Sequence, residues 1–146
     1  MTTVRKSFQE QLREMDQDIL RMGSVTQTML TTSIDALSQQ SIALAKKAIA
    51  MDDEVDHYNL SIEKSCLELL ALQQPMASDL RKIAAALKII TDIERMGDYC
   101  IDIAKTAIQL ADKPIFKPLV DIPRMAGLVN QMLRETLEAF TNHGCP

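Results

Sequence analysis

The chain has 146 residues, of which 47% are hydrophobic, and this is enough for one domain with its own core. Aromatic residues make up only 3%, and there are only four Gly and five Pro, a composition that disfavours strands and predicts an all-α fold. The formal net charge of −4 excludes a strongly basic surface and therefore argues against nucleic-acid binding.

The first two predicted helices are long and amphipathic. The first spans residues 3–37, with apolar side chains in a near-heptad stripe that is interrupted at Gly23. A short polar break follows, in which Ser41 is a candidate N-cap, and a second helix is predicted over residues 41–72. The two helices therefore pair as a hairpin.

The third predicted helix extends from Gln73 to Leu110, and Pro75 suits its first turn because the missing N–H has no partner there. Its large apolar residues fall within a stripe about 80° wide. They are Leu80, Ile83, Leu87, Ile90, Ile101 and Ile108. The three helices together predict an antiparallel three-helix bundle over residues 1–112.

A fourth amphipathic helix is predicted after the bundle. A Pro-rich linker over residues 113–123 separates it from the bundle, and the helix itself occupies residues 124–146. Its apolar side comprises Met125, Leu128, Val129, Met132, Leu133, Leu137 and Phe140. Since no later helix covers this side, it is expected to pack on the bundle or on another chain.

The compartment predicted from the sequence is the cytoplasm. No apolar run is long enough to cross a bilayer, and the N-terminal residues lack the apolar segment of a secretory signal. Cys66, Cys100 and Cys145 are odd in number and lack metal-type spacing, so free thiols in a reducing compartment are expected, with Cys66 and Cys100 in the core.

Acidic residues occupy helix positions at which the apolar pattern predicts buried core residues. Glu94 and Asp98 occupy the centre of the third helix's stripe, while Asp52 lies near the middle of the second helix's stripe and Asp56 toward its edge. Counted from the turn between the two helices, the midpoints of the two pairs differ by only ~3 Å in height. Four carboxylates can therefore converge, with Asp102 as an outer ligand.

Such a cluster must bind a metal, stay protonated or remain exposed, because like charges repel and are costly to desolvate. Metal is the most economical of the three, and oxygen-only ligation suits Mg²⁺, Mn²⁺ or iron and tolerates Zn²⁺.

A redox di-iron enzyme is disfavoured because there is no Glu-x-x-His motif and His57 lies on a polar face. No catalytic set is visible around His57 or His143, which predicts a protein that is not an enzyme. The alternative is a helical interaction module that uses the acidic patch to bind a basic partner without metal.

Three motifs give the chain a resemblance to a known family. They are DDEVD at residues 52–56, QQPMASDLR at 73–81 and DIERMGD at 92–98, and in this order and spacing they are similar to the PhoU family. The resemblance implies a cytoplasmic, non-enzymatic negative regulator of phosphate uptake and of phosphate-starvation signalling. It also implies docking on the ATPase of the phosphate transporter and on a sensor histidine kinase.

The resemblance further implies metal binding, since family members carry iron or zinc clusters, or Mg²⁺ or Mn²⁺, at their E/D-x-x-x-D motifs. The ligands that carry over are Asp52, Asp56, Glu94 and Asp98. PhoU proteins usually comprise two three-helix repeats, whereas this chain has one repeat and the first helix of another. It is therefore either a truncated product or a short form, and we expect a homo-oligomer formed through the fourth helix.

Overall fold

The computed structural model describes residues 7–72, 75–114 and 118–142. These residues form four helices and no strand, as the composition predicts: α1 (Phe8–Gln39), α2 (Ile42–Leu72), α3 (Ala77–Leu110) and α4 (Asp121–Thr141). None of the helices in these ranges has the length and apolar content required to cross a bilayer. The N-terminal residues before Ser7, Gln73, Gln74, His143 and Cys145 lie outside the described residues.

Side-chain caps fix the turn between α1 and α2. The predicted N-cap is confirmed, because the Leu44 N–H donates to Ser41 Oγ at 3.1 Å. Gln40 takes the left-handed conformation at φ 54°, which ends α1. Its side-chain amide donates to the carbonyl oxygens of Leu110 (3.1 Å) and Lys113. The turn is thereby attached to the end of α3.

Helices α1, α2 and α3 each pack against the other two, which confirms the predicted three-helix bundle, and α4 lies along α1. The core is made of aliphatic and sulfur-containing side chains, with both predicted buried cysteines among them. Burial is the main factor that raises the pKa of the Cys66 and Cys100 thiols to about 11, so both remain protonated.

The buried stripe of α3 differs from the predicted one. Leu80 is 45% exposed, and Leu87, Ile101 and Ile108 are only half-buried. The buried residues of the helix are Ile83, Ala86, Ile90, Ile93, Gly97, Cys100, Ala104 and Ala107. Small residues occupy the centre because the helices approach closely there, whereas the prediction was based on large side chains. Glu94 is therefore half-buried and Asp98 exposed, at the border of the interface and not at its centre.

Only part of the predicted apolar face of α4 is covered. Leu133, Leu137 and Phe140 are buried, but Met125, Leu128, Val129 and Met132 are between 41% and 65% exposed. The helix begins at Asp121, three residues before the predicted start.

Contacts along α1 hold α4 against the bundle, among them a hydrogen bond of 3.1 Å from Gln27 Nε2 to the Asn130 carbonyl oxygen. A Cβ atom on Gly23 would lie 2.3 Å from Leu137 Cδ1, so any larger residue here would force this side chain to shift. Nearby, Lys82 Nζ lies 2.9 Å from Asp16 Oδ2 and 4.9 Å from the centre of the Phe140 ring. Gly23, which interrupts the stripe of α1, is thus the position at which Leu137 of α4 packs against α1.

Candidate functional site

The candidate site lies where α2 and α3 approach most closely, with α1 behind it. A Cβ atom on Gly97 of α3 would lie 3.1 Å from Asp52 Oδ1 of α2, 3.7 Å from Val55 Cγ1 and 4.0 Å from Met29 Sδ of α1. Gly97 is buried, and its missing side chain leaves the space that the Asp52 carboxylate occupies. The three helices of the bundle therefore meet at Asp52.

The electrostatic environment of Asp52 is unfavourable for a lone negative charge. Burial first, and then the charges of Asp56 and Asp98, raise the pKa of Asp52 from 3.8 to about 6. Asp52 also shares a hydrogen bond with Asp56, and this bond needs a proton because two ionised carboxylates have no donor. Asp52 Oδ1 is buried and has no hydrogen-bond partner among the described residues. This oxygen is therefore available to accept a hydrogen bond or to ligate a cation.

The structure brings Asp52, Asp56 and Asp98 into electrostatic contact. Glu94 is engaged elsewhere, because its Oε2 accepts a hydrogen bond of 2.8 Å from Asn59 Nδ2 of α2. Asp102, the predicted outer ligand, is exposed on α3.

The side chains of the cluster are not positioned as the ligands of one metal ion. In the part of the chain that the structure describes, no three His, Cys, Asp or Glu side chains lie close enough together to hold one ion. The arrangement can hold a proton between Asp52 and Asp56 as it stands. Binding of a cation by three or more of these carboxylates requires rotation of their side chains, and Glu94 could keep its hydrogen bond to Asn59 through one oxygen while the other binds the cation.

Sequence reasoning missed two residues of this site, Asn59 and Gly97. Both left a signal in the sequence. A glycine inside a helix is less stable than alanine by roughly 1 kcal/mol, so Gly97 between Glu94 and Asp98 indicates a packing requirement. Asn59 follows Asp56 by three residues and therefore lies on the same side of α2.

Comparison with known proteins assigns the chain and its fold to a family. The PhoU domain family matches residues 19–107, which is more than half of the chain and includes all four predicted acidic residues. The chain therefore belongs to the PhoU family, and the resemblance seen in its motifs is confirmed.

Two relatives illustrate the similarity. The chain is 38% identical over 135 residues to the phosphate-specific transport system accessory protein PhoU homolog of Aquifex aeolicus (strain VF5), covering 92% of this chain and 61% of that protein. It is 36% identical over 137 residues to the protein of the same name from Clostridium acetobutylicum, covering 93% of this chain and 63% of that protein. The chain thus spans less than two thirds of the length of these relatives.

The fold also matches a solved structure. The crystal structure of PhoU from Pseudomonas aeruginosa superposes with a TM-score of 0.87 at 30% identity, covering 93% of this chain and 66% of that one. The all-α architecture predicted from composition is the architecture of this family.

Proposed function

We propose that the chain is a cytoplasmic accessory regulator of a phosphate transport system, which limits phosphate uptake and phosphate-starvation signalling without catalysing a reaction itself. The observation that carries this proposal is the family match over residues 19–107, together with relatives named for that system. In this function the chain docks on the transporter ATPase, on a sensor histidine kinase, or on both.

The proposal includes a metal ion at the acidic cluster, held by Asp52, Asp56, Glu94 and Asp98. A buried, unpartnered Asp52 oxygen and the neighbouring charges of Asp56 and Asp98 support it. Burial first and then these charges raise the pKa of Asp52, and a cation would offset both effects. The donors are all carboxylate oxygens, which suit Mg²⁺ and Mn²⁺ and are also found with iron and Zn²⁺. The metal would supply positive charge and fix α2 against α3.

A second function without metal is favoured by a different observation. Since no three ligand side chains lie within reach of one ion in the described ranges, the cluster can instead receive basic groups of a partner protein. In that case a chelator leaves partner binding unchanged, whereas salt weakens it.

We also propose that the chain forms a homo-oligomer through α4. The support is the exposed part of its apolar face, formed by Met125, Leu128, Val129 and Met132. Burial of this face against a second copy removes apolar surface from water.

The regulatory function can be tested in a Pseudomonas aeruginosa strain that lacks its own PhoU. Expression of this chain is expected to lower a phosphate-starvation reporter in phosphate-rich medium, and the strain's own PhoU serves as the positive control. Full repression by that control and none by an equal amount of this chain, folded by circular dichroism, would contradict the proposal.

A further inference from the structure

A polar pocket of about 280 Å³ lies between α1 and α4. Its lining contains hydroxyl, amide and guanidinium groups and no carboxylate, although the chain carries 20 acidic residues. The residues that line it are Gln27, Thr28, Thr31 and Thr32 of α1 and Asn130 and Arg134 of α4. The pocket is therefore opposite in charge to the acidic cluster at Asp52.

Hydrogen bonds between α1 and α4 hold the walls of this pocket in place. Gln27 Nε2 donates to the Asn130 carbonyl oxygen at 3.1 Å. In return, Asn130 Nδ2 donates to the Gln27 carbonyl oxygen at 3.5 Å and to Thr31 Oγ1 at 3.3 Å. Thr32 Oγ1 donates to the Thr28 carbonyl oxygen at 2.7 Å. The pocket is thus formed by the fold itself.

Three donor groups on the walls remain available to a ligand. The Arg134 guanidinium has neither an ion pair nor a hydrogen bond within the described ranges, and the same is true of Thr28 Oγ1. Thr31 Oγ1 accepts a hydrogen bond from Asn130, which leaves its own proton to donate. Thr28 and Thr31 are one turn apart on α1, and Arg134 borders the pocket from α4. Donors from two helices therefore surround one space, which suits an anion.

An acceptor in the wall narrows the class of anion. Asn130 Oδ1 is buried and has no hydrogen-bond partner among the described residues, and an unpaired buried acceptor is costly. A ligand with a hydroxyl proton can donate to this oxygen while its other oxygens accept from Arg134 and the threonines. Inorganic phosphate keeps such a proton near neutral pH. Sulfate has none, and a carboxylate offers only two oxygens in one plane.

We propose that this pocket, the α1–α4 pocket, binds inorganic phosphate. The Arg134 guanidinium supplies the positive charge, Thr28 and Thr31 donate to further phosphate oxygens, and the P–OH group donates to Asn130 Oδ1. Because Oδ1 is buried, this last bond requires the amide to turn toward the pocket. The two bonds of Asn130 Nδ2, at 3.3 and 3.5 Å, are long enough to be exchanged.

Phosphate at this position is independent of a metal ion at the acidic cluster. It deepens the proposed regulatory function by naming a ligand, but it rests on the pocket alone. The proposed function does not require it, so a chain that represses the starvation reporter without binding phosphate would separate the two.

The test is isothermal titration of the full chain with sodium phosphate at pH 7.5 and constant ionic strength. EDTA is present so that phosphate cannot bind through a metal ion. We expect saturable binding by the wild type and binding roughly tenfold or more weaker by Arg134→Gln, because a charge-assisted hydrogen-bond pair is lost. Thr31→Val keeps the shape of the side chain and removes its hydroxyl, so affinity is expected to fall about threefold or more.

Arg124→Gln is the matched control. It removes the same charge from an exposed position of α4 that does not line the pocket, and it is expected to bind phosphate as the wild type does. Circular dichroism and urea midpoints establish that each variant is folded.

Two other anions test the class of ligand. Sulfate is expected to bind roughly tenfold more weakly than phosphate, because it has no proton for Asn130 Oδ1. Glycerol 3-phosphate is also expected to bind more weakly, since a phosphate monoester has lost most of its acidic proton at this pH.

Four outcomes would overturn the inference. They are no saturable binding of phosphate by the folded wild type, equal affinity of the wild type and Arg134→Gln, equal affinity for sulfate and phosphate, and tighter binding of glycerol 3-phosphate than of phosphate. The last outcome would assign the α1–α4 pocket to a phosphate ester.

Discussion

At the residue scale, the fold places the Asp52 carboxylate in an environment that disfavours its negative charge. Its pKa is raised from 3.8 to about 6, first by burial and then by Asp56 and Asp98. The folded chain therefore binds more protons than the unfolded chain between about pH 4 and pH 6, and stability from this group is lost as the pH rises through that window.

We predict that Asp52→Asn stabilises the metal-free protein above pH 6. The amide keeps the shape of the carboxyl group and removes its charge, so we expect a gain of about 1 kcal/mol at pH 7.5 after allowance for solvent screening of a half-buried group. Below pH 4, where the wild-type carboxyl is protonated, the gain disappears. Urea unfolding in EDTA at several pH values measures the change in the free energy of unfolding. Asp35→Asn, at an exposed position of α1, is the matched control. A variant less stable than the wild type at pH 7.5 would contradict the account.

The sequence predicted that acidic residues of α2 and α3 would lie near one another, but it did not predict their geometry. Helical spacing was sufficient to place Asp52 and Asp98 near each other. It could not reveal that Asn59 holds Glu94 at 2.8 Å, because a hydrogen bond across two helices depends on rotamers and on the exact helix rotation.

At the element scale, α4 is attached to the bundle through a glycine. We predict that Gly23→Ala loosens α4, because the new methyl group would meet Leu137 Cδ1 at 2.3 Å in a buried contact. The expected loss of stability is roughly 1–3 kcal/mol, and amide hydrogen exchange should increase in α4 more than in α1, α2 or α3.

Gly127→Ala is the matched control for this change. A Cβ atom there meets nothing within 4 Å among the described residues, and alanine is the better helix former. We expect a gain of about 0.5–1 kcal/mol. Equal changes in the free energy of unfolding for the two substitutions would show that Gly23 has no special role in the packing of α4 against α1.

The existence of the helices and their approximate limits could be predicted from the sequence, although α3 begins at Ala77 and α4 at Asp121, whereas the rotation of α3 could not. Polar breaks and capping residues such as Ser41 act locally, so they leave a local signal. The side of a helix that becomes buried is decided by its neighbours, and in α3 these select small residues such as Gly97 and Ala104 over Leu80. The partial cover of α4 is likewise a tertiary effect.

At the scale of the whole molecule, the exposed part of α4 predicts self-association. Leu128→Glu with Met132→Glu places two charges in that face, so sedimentation velocity is expected to show a smaller species than the wild type forms at the same concentration. Leu60→Glu, at an exposed position of α2, is the control and is expected to leave the species unchanged. A wild-type chain that sediments as a monomer at high micromolar concentration would rule out this interface.

We propose that carboxylates from α2 and α3 share a cation, and direct measurement of metal binding tests this best. Isothermal titration of the chelator-stripped protein with Mn²⁺ is compared with the double variant Asp52→Asn and Asp98→Asn. The charge-matched control is Asp35→Asn with Asp112→Asn, two exposed positions away from the cluster.

We predict that the wild type and the charge-matched control bind Mn²⁺ alike, and that the Asp52 and Asp98 double variant loses affinity roughly tenfold or more. Equal Mn²⁺ affinity of all three proteins would contradict a shared cation at Asp52 and Asp98. So would a failure of all three to bind Mn²⁺ while EDTA leaves partner association unchanged.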